Sequence, residues 1–113
     1  MITAGFIKKD DRFSGFKISG HSGYAESGKD IVCAAVSSAV QTVANIIADQ
    51  FGIECESRVN DKNAEIYFNI KDRNVNNLIL SDKLLKGLFE QLKEIQEEYP
   101  GFLSLSVGGV NDD

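Results

Sequence analysis

The sequence predicts an α+β fold of order ββαββαβ, a mainly antiparallel or mixed five-stranded sheet covered by two helices. Three observations predict it. Apolar residues alternate in five short segments, they recur at three- and four-residue spacing in two long ones, and four of the short segments arrive as pairs joined by polar turns. Paired hairpins favour this arrangement over a doubly wound parallel sheet.

Ile2 to Lys8 and Phe13 to Gly20, rich in Ile, Phe and Thr, form a first hairpin around Lys9-Asp10-Asp11-Arg12, with Phe16 and Ile18 facing the core. From Asp30 the period changes. Val32, Val36, Ala39, Val40, Val43, Ile46 and Ile47 lie on one helical face up to a break at Phe51-Gly52, and Asp30 is the expected N-cap. Ile53, Cys55, Ser57 and Val59 alternate with Glu54, Glu56 and Arg58, and Asn60-Asp61-Lys62-Asn63 turns the chain into Ala64 to Ile70. Asp72 to Ser81 reads as an Asn-rich connection, with Ser81 as N-cap of a second helix carrying Leu84, Leu85, Leu88, Phe89, Leu92 and Ile95. Tyr99-Pro100-Gly101 ends that helix. Leu103, Leu105 and Val107 alternate in the last strand, and Asn111-Asp112-Asp113 is a polar tail.

A chain of 113 residues, 42% hydrophobic and 26% charged, has the size and make-up of a single domain over residues 1–113. Twelve Lys and Arg against seventeen Asp and Glu give a net charge of −5, the wrong sign for a protein that works by neutralising phosphates, so no direct nucleic-acid ligand is expected. A basic protein or peptide is steered toward such a surface. The N-terminus lacks the order of a secretory signal, and a cytoplasmic protein is expected. Ile31 to Ala48 carries no charge, yet Ser37, Ser38, Gln41, Thr42 and Asn45 interrupt it, so it reads as a buried helix of a soluble protein and no membrane partner is expected. A disulfide between Cys33 and Cys55 is not expected: the helix between them is about 27 Å long at 1.5 Å per residue.

Between the second strand and the first helix lie the only histidine, His21, and one of the two cysteines, Cys33. With Asp30 as N-cap, Cys33 occupies the third helical position, where unbonded N–H groups and the helix dipole favour a thiolate. His21 leaves a strand end and a short glycine-containing loop returns the chain to the helix, so imidazole and sulfur can meet. A nucleophile with a base in reach is what acyl transfer needs. The structural alternative is a small buried cysteine and a hydrogen-bonded turn histidine.

Gly20-His21-Ser22-Gly23-Tyr24-Ala25, followed by Gly28-Lys29-Asp30-Ile31-Val32-Cys33-Ala34-Ala35-Val36-Ser37, closely resembles the signature of the ribosomal-processing cysteine protease family, Prp. The resemblance implies a thiol protease of ribosome biogenesis that removes a short N-terminal extension from the large-subunit ribosomal protein L-twenty-seven, with Cys33 as nucleophile and His21 as its base. Its pattern also contains Gly20, Asp30 and Ser37. Gly20 lets the backbone pass close to the histidine, Asp30 caps the helix or orients His21, and Ser37, one turn beyond Cys33, is read as a packing residue. Backbone N–H groups at the helix start are the expected oxyanion donors. In the loop Ser22 to Lys29, Gly23 and Gly28 supply mobility or special dihedrals and Tyr24 is a loop anchor or a substrate contact. The family resemblance further implies a substrate with two aromatic residues before the cut. No metal and no cofactor is expected.

Ser37, Ser38, Gln41, Thr42 and Asn45 share one arc of the first helix, polar yet uncharged. A second copy in a homodimer would cover it, as in the family, or the second helix would. Two other functional classes compete with the protease: a non-catalytic module that binds a basic ribosomal protein, and a thiol redox sensor using Cys33 and Cys55.

Overall fold

The computed structural model describes residues 1–20, 27–62 and 64–109, with residues 27–30 described by their backbone. The polar tail read at Asn111-Asp112-Asp113 lies outside the described residues. In chain order the elements are β1 (Ile2–Lys9), β2 (Arg12–Ser19), α1 (Ser27–Asn45), β3 (Cys55–Asn60), β4 (Glu65–Ile70), α2 (Val75–Glu98) and β5 (Leu103–Gly109). The five strands form one mixed sheet of order β3-β4-β2-β1-β5, antiparallel except for the β1–β5 pair. This is the α+β fold that the alternation and turn signals predict.

The first turn is tighter than expected. Lys9 pairs with Arg12, and Asp10 and Asp11 between them both have positive φ, 54° and 63°, the backbone of a two-residue turn whose twist matches its strands. A bulge at Ile7 and Lys8 re-aims the end of β1, and the Phe13 N–H donates to buried Asp82 of α2 at 2.8 Å. At Gly15 a Cβ would collide with the Phe68 carbonyl, so the residue's lack of a side chain is what lets β2 and β4 approach.

The pairing register puts Ala4, Phe6, Phe16, Ile18, Phe68 and Leu103 on one face, all buried. α2 packs across β2 and β5 and against α1. Phe89 of α2 meets Phe6 edge-on at a ring distance of 5.3 Å, and Phe16 stacks on Phe68 at 5.2 Å. The other face is polar: Lys17 pairs with Glu65 at 3.5 Å, and Arg58 lies over the Tyr67 ring at 4.4 Å. Val59 points to the core side yet stays 67% exposed, because β3 is an edge strand beyond the cover of the helices.

Two helix starts differ from the sequence reading. Ser81 is not a cap: α2 begins six residues earlier, where Asn74 accepts a hydrogen bond from the Asn77 N–H at 3.1 Å, and Asp72 fixes the entry by accepting from the Asn74 and Glu54 amides. Asp30 is not a cap either, since α1 is helical from Ser27 onward. At its far end α1 widens into a π-helical turn, Ile46–Gln50, closed by the Phe51 N–H on the Ile46 carbonyl at 3.0 Å, and Gly52 (φ 61°) ends it at the expected break.

Candidate active site

β2 is the middle strand of the sheet, and its last hydrogen-bonded pair joins Ser19 to Thr3. Gly20 follows with φ of 95°, and a Cβ there would collide with the carbonyl oxygen of Met1. Both facts demand glycine. The close approach expected of Gly20 is therefore to the N-terminus of β1, which fixes where the chain leaves the strand. His21 is the next residue. His21, Gly23 and Tyr24, with the meeting of imidazole and sulfur expected of them, lie outside the described residues.

The helix that brings Cys33 starts seven residues after Gly20. Val32, Val36 and Val40 are buried and hold α1 on the core, and Cys33 beside them is half-buried against the same cluster. Cys33 is the seventh residue of α1, in the second turn and not the first. The amides that a helix start leaves unbonded precede it, so the N–H groups at the helix start that are expected as oxyanion donors lie in the turn before Cys33. Asp30 is the fourth helical residue and Gly28 the second, which shortens the expected Ser22 to Lys29 loop by its last three residues.

Ser37 is exposed, so the packing role read for it is not found among the described residues. Ser38, Gln41, Thr42 and Asn45 are exposed as well, and α2 does not cover them. Ile31, 51% exposed, and exposed Ala34 flank Cys33 on the solvent side. Nothing in the sequence signals this, because an apolar residue in a charge-free run reads as buried. By length and composition Ile31–Gln50 is also long and apolar enough to cross a membrane. Val32, Val36 and Val40 are instead buried in the core, where α1 meets α2, with the polar arc outward.

Cys55 stands apart. It is half-buried on edge strand β3, and burial together with the nearby Asp49 carboxylate pushes its thiol pKa up, the wrong direction for a nucleophile. Among the described residues no group of three or more His, Cys, Asp or Glu is arranged to hold a metal ion.

Compared with known proteins, the chain matches the family model of cysteine protease Prp over residues 1–104. Among solved structures, the essential ribosomal processing protease Prp from S. aureus in complex with a substrate peptide is 22% identical, with a TM-score of 0.82 over 96% of this chain and 100% of that one. The same S. aureus enzyme with a covalently linked product peptide is 24% identical, with a TM-score of 0.80 over the same shares. A Streptococcus mutans protein, 22% identical, aligns with a TM-score of 0.82 over 97% of this chain and 96% of its own. No curated protein matches. The structural likenesses carry the fold, and the family model, spanning Gly20 through Ser37 and nearly all of the sheet, carries the activity: this chain belongs to the Prp family of cysteine proteases.

Proposed function

We propose that this protease removes a short N-terminal extension from the bacterial large-subunit ribosomal protein L-twenty-seven, with Cys33 as nucleophile and His21 as its base. The observation that carries the reading is the family match, whose span includes both residues. The Cys33 thiolate attacks the scissile carbonyl carbon, and as the C–N bond breaks the His21 imidazolium gives its proton to the leaving amine. The histidine then takes a proton from water, which attacks the thioester, releasing the new carboxylate and returning the thiolate. The S. aureus enzyme has been seen with a substrate peptide and with a covalently linked product, and both support this order of events for the present chain.

The rigid exit from β2 at Gly20 suits a base that must be held at one point, and Asp30 is left the orienting role. The substrate carries an aromatic pair before the cut, and Gly23 and Tyr24 are assigned to its recognition. The exposed, uncharged arc of α1 is the contact of a homodimer, and the protein works in the cytoplasm. Incubation with the extended ribosomal protein followed by mass spectrometry of the products tests the function. The wild type and Cys55→Ser should yield two fragments, and Cys33→Ser and His21→Ala should leave the substrate whole. Cleavage by Cys33→Ser, or none by the wild type, overturns the proposal.

A further inference from the structure

A cavity of about 650 Å³ lies at the end of the sheet opposite Gly20, between the β1–β2 turn, the end of β4 and the first turns of α2. Arg12 on its wall and Gly20 stand at opposite ends of β2, about 26 Å apart at 3.3 Å per residue, so the cavity is separate from the candidate active site. Lys9, Arg12, Lys71 and Arg73 reach it, against two carboxylates, Asp10 and Asp72. In a chain of net charge −5 this wall is locally cationic.

The cations are largely unspent. Among the described residues Lys9, Arg12 and Arg73 make no ion pair, and Lys71 meets only Glu56, at 3.5 Å. Asp72 does not neutralise them at contact distance, because its oxygens already accept from the Glu54 and Asn74 amides and the Asn77 side-chain amide. Phe13, Ile70 and Leu78 give the same cavity an apolar part.

We propose that this cavity binds a small organic phosphate, its phosphoryl oxygens held by Arg12, Arg73 and Lys9 and its organic part against Phe13, Ile70 and Leu78. Two arginine forks and an ammonium match the geometry and double charge of a phosphate monoester better than a single carboxylate. The volume is that of a small-molecule site, and the chain's net charge of −5 disfavours a long polyanion.

Amide NMR titration of the full chain tests this with three probes: adenosine monophosphate, adenosine and inorganic phosphate. The monophosphate should give saturable shifts at Arg12, Ser14, Arg73 and Ser81, with a Kd of about 1 mM or below, and the two fragments should each bind about tenfold more weakly. Arg12→Ala with Arg73→Ala, neither side chain buried, should weaken the monophosphate about tenfold at unchanged Tm. The proposal is overturned by no saturable shift at about 10 mM, by shifts mapping away from the cavity, or by undiminished binding in the double arginine variant. Inorganic phosphate binding as tightly as the monophosphate overturns the organic part.

Discussion

Replacing Gly20 by Ala separates two costs that the structure puts at one residue. The first is conformational: φ of 95° lies in the region that L residues occupy at a penalty of about 1–2 kcal/mol. The second is steric, since the new Cβ would overlap the Met1 carbonyl oxygen, and forcing strand ends apart in a packed sheet costs about 1–3 kcal/mol. Together they come to about 2–5 kcal/mol. Gly101 is the matched control, with φ of 92° and nothing within 4 Å of its would-be Cβ, so Gly101→Ala should cost only the conformational part. For 113 residues the usual unfolding entropy converts 1 kcal/mol into about 4 °C of Tm. Gly20→Ala should thus lose roughly 8–20 °C and Gly101→Ala roughly 4–8 °C, read by thermal unfolding followed by circular dichroism. Cleavage should fall in Gly20→Ala well below the folded fraction, because His21 then leaves the strand from a displaced point. Equal Tm losses in the two variants would refute the claim that contact with Met1 is what demands glycine.

Three further outcomes are expected. Cys55, its thiol pKa raised by burial and by Asp49, is protonated at neutral pH, so its alkylation by iodoacetamide should stay slow until the pH passes above the ordinary thiol range; fast alkylation of Cys55 in Cys33→Ser at about pH 7 would contradict this. Asp82→Ala leaves the buried Phe13 N–H without its acceptor and should cost about 1–3 kcal/mol in urea unfolding, with Asp82→Asn recovering part of it through its amide oxygen. Gln41→Glu with Thr42→Glu buries like charges against each other in the dimer proposed above and should give a monomer by sedimentation. A wild type that already sediments as a monomer at high concentration removes that interface.

The sheet is legible in the sequence because alternation in Ile2 to Lys8, Phe13 to Gly20 and Ala64 to Ile70 coincides with the burial of one face. Helix starts are not. Asn74-Val75-Asn76-Asn77 has poor helix propensity, and its place in α2 comes from Asp72 and Asn74 bonding the first amides, a tertiary arrangement that Ser81 mimics with a better cap residue. Ser27 and Asp30 both suit a cap, and Gly28 between them speaks for a loop, so the sequence pattern puts the start of α1 four residues late. Cys33 stands out by its neighbours in sequence, while its turn of the helix shifts with that same misplaced start. The contact between Gly20 and Met1 carries no sequence signal at all, because it joins residues that only the β1–β2 pairing brings together.

Ile2 pairs with Leu103, and the Ile2 N–H donates to the Phe102 carbonyl at 3.1 Å. The strand that begins the chain thus waits for the strand that closes the sheet, across a loop of about a hundred residues whose closure entropy must be met before the contact returns anything. Until β5 docks, β1 presents an open edge that any other extended chain can occupy. Folding should therefore be slow for a protein of this size, and the partly folded species, lacking only its last strand, is the one at risk of aggregating. Because the two strands run parallel, joining the end of β5 to the start of β1 takes a crossover of about a dozen residues or more; with that crossover, and the chain opened elsewhere, the delay would go without altering a side chain in the sheet.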